Sequence, residues 1–201
     1  DETSARDVVR LDGLGPFDVL ADGSIVFEQS RLYRISYSFQ DIFRWDAKTK
    51  QQVRLTRGKR ARDPAVSDDE RKIAFSMNEP STSVLAVMDA VPDAPPKVVW
   101  RGERYDQAFQ PAWSPDGTRI AFSAWRRGGF RDILIVDVAT GAVEEVTHDR
   151  AVDLAPVWSP DGRYIYFDSD RTSIQNIFAY DTTDKSTWQI TNVLTGVAAM
   201  P

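Results

Sequence analysis

The sequence predicts an all-β fold, a β-propeller of four-stranded antiparallel blades, with four blades present as part of a larger ring. The first observation behind this is recurrence. Pro156, Val157, Trp158, Ser159, Pro160, Asp161 and Gly162 lead into Ile165, Tyr166 and Phe167. In the same way Pro111, Ala112, Trp113, Ser114, Pro115, Asp116 and Gly117 lead into Ile120, Ala121 and Phe122. Weaker copies run from Pro64 through Ser67, Asp68 and Asp69 to Phe75 and, with one residue deleted, from Phe17 through Asp22 and Gly23 to Phe27. The anchors Phe17, Pro64, Pro111 and Pro156 are spaced by 47, 47 and 45 residues, a period that fits one four-stranded blade per repeat. Second, each unit reads as four short β-branched or aromatic segments bounded by turn residues, in the third unit roughly 108–113, 119–124, 132–137 and 142–147. Third, the turns explain themselves. In Ser-Pro-Asp-Gly the proline presets φ, aspartate tolerates the next position, and glycine accepts the left-handed backbone that closes a tight hairpin.

Taken in order, residues 1–16 read as the outer strand of a preceding blade, with Asp7 to Leu11 strand-like, followed by a Gly- and Pro-containing linker. Blade 1 spans 17–63 and has a long connection, Glu28 to Asp41, rich in Ser, Tyr and Arg. Blade 2, residues 64–110, departs most from the phrase: Val66 stands at the tryptophan position and Glu70 at the glycine position. Its segment Val91 to Lys97 carries Pro92, Pro95 and Pro96 and reads as a stiff surface excursion. Blades 3 and 4, residues 111–155 and 156–200, are regular, and Pro201 falls where a further blade begins. A second turn recurs between third and fourth strands, at Asp46 to Lys50, Asp137 to Gly141 and Asp181 to Lys185.

Composition narrows the function classes. No apolar run approaches the ~20 residues that a membrane-spanning helix needs, so no membrane insertion is expected. The N-terminus shows no basic-then-apolar signal region, and a start at Asp1 reads as a processed or trimmed product. The absence of cysteine excludes disulfide scaffolds, zinc–thiolate sites and cysteine nucleophiles together. A net charge of −5 argues against a nucleic-acid binder.

Catalytic constellations are not found. The only histidine is His148, in a loop after an outer strand, and neither Gly-x-Ser-x-Gly nor His-Glu-x-x-His occurs. No catalytic residue and no cofactor is assigned. Asp168 and Asp170 fall on one face if strand alternation continues, which makes them the weak candidates for a cation site, against an ion pair within the blade to Arg171. Trp113 and Trp158, at equivalent repeat positions, read as packing between blades. The loops linking second to third strands and the loops joining blades share one face, which is rich in arginine, whereas the hairpin turns on the opposite face are rich in aspartate. Arg60, Arg62, Arg104, Trp125, Arg126, Arg127 and Arg131 are therefore the candidate partner-binding residues, suited to an acidic or carboxylate-bearing partner.

At these residues the sequence resembles the TolB-like, WD-repeat-like β-propeller family. The blade phrase is Pro-Ala-Trp-Ser-Pro-Asp-Gly at 111–117, then Ile-Ala-Phe-Ser at 120–123, Asp-Ile-Leu-Ile-Val-Asp at 132–137, and Glu-Val-Thr after a glycine turn at 145–147. The resemblance implies a non-enzymatic scaffold of the bacterial envelope, periplasmic or otherwise extracytoplasmic, that binds protein or peptide. Similar blades form the gating propellers of prolyl-oligopeptidase-like and tricorn-like peptidases, so the alternative is a non-catalytic domain that positions or filters a peptidase's substrate. The segment from Arg54 to Pro64 also looks like arrays that follow a metallopeptidase domain. Exposed blade faces at the ends of the array would favour self-association.

Overall fold

Four antiparallel sheets, each made of four successive strands, account for all the regular structure among the described residues, 15–33 and 36–197 of a computed structural model. Blade 1 contains β1 (Phe17–Val19), β2 (Ile25–Tyr33), β3 (Tyr37–Trp45) and β4 (Gln52–Arg54). Blade 2 contains β5 (Ala61–Val66), β6 (Lys72–Glu79), β7 (Thr82–Asp89) and β8 (Lys97–Trp100). Blade 3 contains β9 (Gln107–Trp113), β10 (Arg119–Trp125), β11 (Arg131–Asp137) and β12 (Val143–Glu145). Blade 4 contains β13 (Asp153–Trp158), β14 (Tyr164–Ser169), β15 (Asn176–Asp181) and β16 (Thr187–Gln189). The expectations for residues 1–14 and for Pro201 lie outside the described residues, and no described helix is long and apolar enough to cross a membrane.

Local chemistry explains why the sheets turn where they do. Ser67, Ser114 and Ser159 each donate Oγ–H to the aspartate two residues on, at 2.7, 2.6 and 2.5 Å, and each accepts the N–H that opens the following strand. Gly117 and Gly162 take left-handed φ of 67° and 70° there. Glu70, in the same place, is forced to 57°. The outer turns are Asx turns, with Asp46, Asp137 and Asp181 accepting backbone N–H groups at 2.7 Å.

Blades pack through three clusters. Val26, Ile42 and Leu55 meet Ile73, Phe75 and Met88; Leu85, Val87 and Trp100 meet Trp113 and Phe122; Ile133 and Ile135 meet Trp158, Ile165 and Phe167. The tryptophans bolt successive innermost strands together: Trp113 Nε1 donates to the Ala65 carbonyl at 3.0 Å, and Trp158 Nε1 to the Ala112 carbonyl at 3.1 Å. Val66 has no such donor, and its own N–H reaches back to Asp18 Oδ2 at 2.5 Å instead.

One expectation changes. The first blade's long connection is mostly strand: β2 and β3 stay paired out to Tyr33 and Tyr37, because Ser, Arg, Tyr and Phe there alternate on a pleat rather than loop. The proline-bearing stretch after β7 runs over the surface as expected and is tethered there, since Asp93 N–H binds the Leu55 carbonyl at 2.9 Å and the Asp93 carboxylate receives Arg57 Nε at 3.0 Å.

Candidate functional site

The innermost strands of blades 2, 3 and 4 each carry a bulge immediately before the anchor proline, where Asp63, Gln110 and Ala155 take left-handed φ of 52°, 49° and 48°. The N–H freed at each bulge is caught by the preceding blade. Asp63 N donates to Glu28 Oε2 at 2.8 Å, Gln110 N to Asp63 Oδ2 at 3.2 Å, and Ala155 N to Gln110 Oε1 at 3.1 Å. This ladder lines the axial cavity that Pro64, Pro111, Trp113 and Pro156 also border. Burial pushes the Glu28 and Asp63 carboxyls upward from their ordinary values, opposed by those same backbone donors.

The innermost strands begin at the same end of each blade as the tip of the hairpin between second and third strands, so Gln107 pairs with Trp125 and Trp125 with Arg131. There Arg62 lies 4.6 Å and Arg131 4.3 Å from the centroid of Phe109, and Arg131 also lies 5.1 Å from that of Trp125. Arg60 stands 4.3 Å over Phe39 on the neighbouring blade. Beside this array run two grooves of about 510 and 560 Å³. The first is walled by Arg104, Tyr105, Trp125 and Arg127; the second passes from Arg127 over Phe130 to His148 and Arg150. Tyr105, Trp125 and Phe130 are 65%, 42% and 38% exposed.

The seven candidate residues thus divide. Arg62 and Arg131 converge on Phe109, and Trp125 meets Arg131; Arg104 and Arg127 face the grooves; Arg60 packs over Phe39 of the blade 1 hairpin. Arg126 is already spent internally, donating to Asp132 at 2.9 Å and to Glu145, with His148 Nδ1 at 3.1 Å. Burial works against its charge, yet the bonds to Glu145 and Asp132 prevail and raise its pKa. Sequence reasoning missed Phe109, Tyr105, Phe130 and Phe39. Phe109 was detectable, because it stands one repeat of 47 residues after Arg62 and equivalent positions on adjacent innermost strands are neighbours.

Asp168 and Asp170 do not converge. Asp168 is buried in β14, whereas Asp170 lies past the strand end and accepts the Val152 N–H at 2.8 Å. Arg171 pairs with Asp153 at 3.2 Å and Asp149 at 3.6 Å. Among the described residues no group of three or more potential metal ligands is assembled. His148 is an exposed side chain with Nδ1 3.6 Å from Glu145 Oε2.

Comparison with known proteins agrees with this architecture. A putative TolB from Agrobacterium tumefaciens superposes with a TM-score of 0.80 at 23% identity, over 95% of this chain and 66% of that one. TolB from Acinetobacter baumannii gives 0.67 at 25% identity, over 79% of this chain and 39% of that one. A puromycin hydrolase shares the fold at 0.71 and 15% identity, over 95% of this chain and 33% of the hydrolase. The chain therefore spans less than two thirds of each of these structures. No curated protein matches it. The family model described as "TolB beta propeller domain" matches residues 64–196, and the chain belongs to that family.

Proposed function

We propose that this chain is a non-enzymatic, protein- or peptide-binding scaffold of the bacterial cell envelope, working in an extracytoplasmic compartment. Its binding face is the one on which Arg104, Tyr105, Trp125, Arg127 and Phe130 line adjoining grooves. The observation that carries the reading is the contrast between Arg126 and Arg127. The former is consumed by Asp132 and Glu145, while the latter projects into both grooves with no ion pair among the described residues. Exposed aromatics beside unpaired arginine are the composition of interface centres, and arginine's planar fork favours carboxylate-bearing partners. The net charge of −5 speaks against nucleic acid.

The test is a salt series of titrations with acidic and neutral decapeptides. Trp125→Ala combined with Arg127→Ala should weaken acidic-peptide binding by roughly tenfold or more and flatten its salt dependence. Equal affinities for wild type and variant at every ionic strength would remove the assignment. A second reading, a non-catalytic substrate-gating or positioning domain of a peptidase, is supported by the fold shared with puromycin hydrolase. A catalytic domain encoded in the same polypeptide would favour it.

A further inference from the structure

We propose that Arg62 and Arg131 form a carboxylate-binding site beside Phe109, a fixed place for one carboxylate of the partner. This deepens the binding reading above and rests on it. Both guanidinium groups stand within 5 Å of one ring, that of Phe109. Arg62 Nε is buried and has no hydrogen-bond partner, which is costly for a charged donor. Neither group forms an ion pair among the described residues, unlike Arg126, Arg163 and Arg171. The two cations share one aromatic ring and repel each other. Burial, and after it the charge of Arg62, lowers the pKa of Arg131.

The acids nearby do not fill the gap. Asp63 attracts both arginines, yet its Oδ2 accepts the Gln110 N–H at 3.2 Å and the Ser76 hydroxyl at 3.3 Å. Glu28 Oε2 holds the Asp63 N–H at 2.8 Å, and Oε1 takes Gln40 Nε2 at 3.0 Å. Both carboxylates accept bonds of the bulge ladder or the blade 1 hairpin, and they attract the arginines without forming an ion pair with either among the described residues.

A carboxylate held between the two planar guanidinium forks would make strong charge-assisted bonds. The presence of Asp63 and Glu28 favours a monoanion, because a phosphate dianion would meet their repulsion at the same point. Arg131 also overlies Trp125, which lines the first groove with Tyr105, so these two rings are the nearest exposed apolar surface for the remainder of a peptide.

Three probes separate the sources of a carboxylate: acetyl-Ala-Phe-Ala-Asp-amide, acetyl-Ala-Phe-Ala-Ala with a free C-terminus, and acetyl-Ala-Phe-Ala-Ala-amide with none. In calorimetric titrations of the whole chain, at least one carboxylate peptide should bind tenfold or more tightly than the amide. Arg62→Gln and Arg131→Gln should each abolish that advantage. Arg62→Lys, which keeps the charge and loses the fork, should retain only part of it and covers the case in which a glutamine variant does not fold. The site is wrong if all three peptides bind wild type equally while Trp125→Ala weakens them all; the groove reading then stands alone. It is also wrong if inorganic phosphate displaces the carboxylate peptides at equal concentration. If no peptide binds, both readings fall.

Discussion

Glu70 shows what one residue costs and contributes at a turn built for glycine. Its φ of 57° matches the glycines of the equivalent turns, a conformation that costs an L-residue about 1–2 kcal/mol. Its side chain offsets part of this cost, since Oε1 accepts the Ala21 N–H at 2.6 Å and ties the blade 2 turn to the blade 1 turn. The two effects are separable by substitution. Glu70→Ala keeps the strain and loses the bond, whereas Glu70→Gly loses both. In urea unfolding, Glu70→Gly is therefore expected to be more stable than Glu70→Ala by about 1 kcal/mol. Identical midpoints would show that the turn relaxes without glycine. Arg126 and Arg127 make the same point for function: neighbours of one type in one loop differ entirely in what they are free to meet.

At the scale of elements, the innermost strands depend on the bulge ladder running from Glu28 through Asp63 and Gln110 to Ala155. Burial raises the Asp63 pKa more than the Gln110 N–H and Arg62 lower it. For an acid whose folded pKa is raised, the associated stability is fully present below the unfolded value of 3.8 and is lost as pH rises through the folded pKa. Asp63→Asn keeps an acceptor for Gln110 N–H, tolerates the left-handed backbone and removes the titration. Its stability relative to wild type should therefore increase from pH 4 to pH 7 in thermal melts, and a constant or falling difference would contradict the assignment. The repeat phrase signals these strands well, because period-2 alternation and turn chemistry act between residues close in sequence. The bulges were not legible. A left-handed residue before proline is disfavoured locally, and it is held only by a side chain one blade away.

For the whole molecule, the end blades carry surface that interior blades bury. On blade 4, Val157, Trp188 and Ile190 are 40%, 44% and 55% exposed, with Tyr164 packed edge-on to Trp188 at 6.3 Å. Exposed apolar area of this kind favours association, so light scattering on the isolated chain at tens of micromolar should report a mass above 22.7 kDa. A monodisperse monomer would refute this.

The succession of four-stranded blades and the tight turns within them were determined by the sequence alone. Each follows from propensity and spacing within a single repeat, whose phrase is strong at Pro111 and Pro156 and weak at Phe17. Only the tertiary structure decided which arginines are available. Arg62 reaches Phe109 across a blade boundary, Arg131 joins them from a different strand of the next blade, and Arg126 is neutralised by Asp132 and Glu145 from two further strands. The physical reason is that charge neutralisation and stacking depend on distance in space, and the ring of blades brings together residues that no local pattern connects.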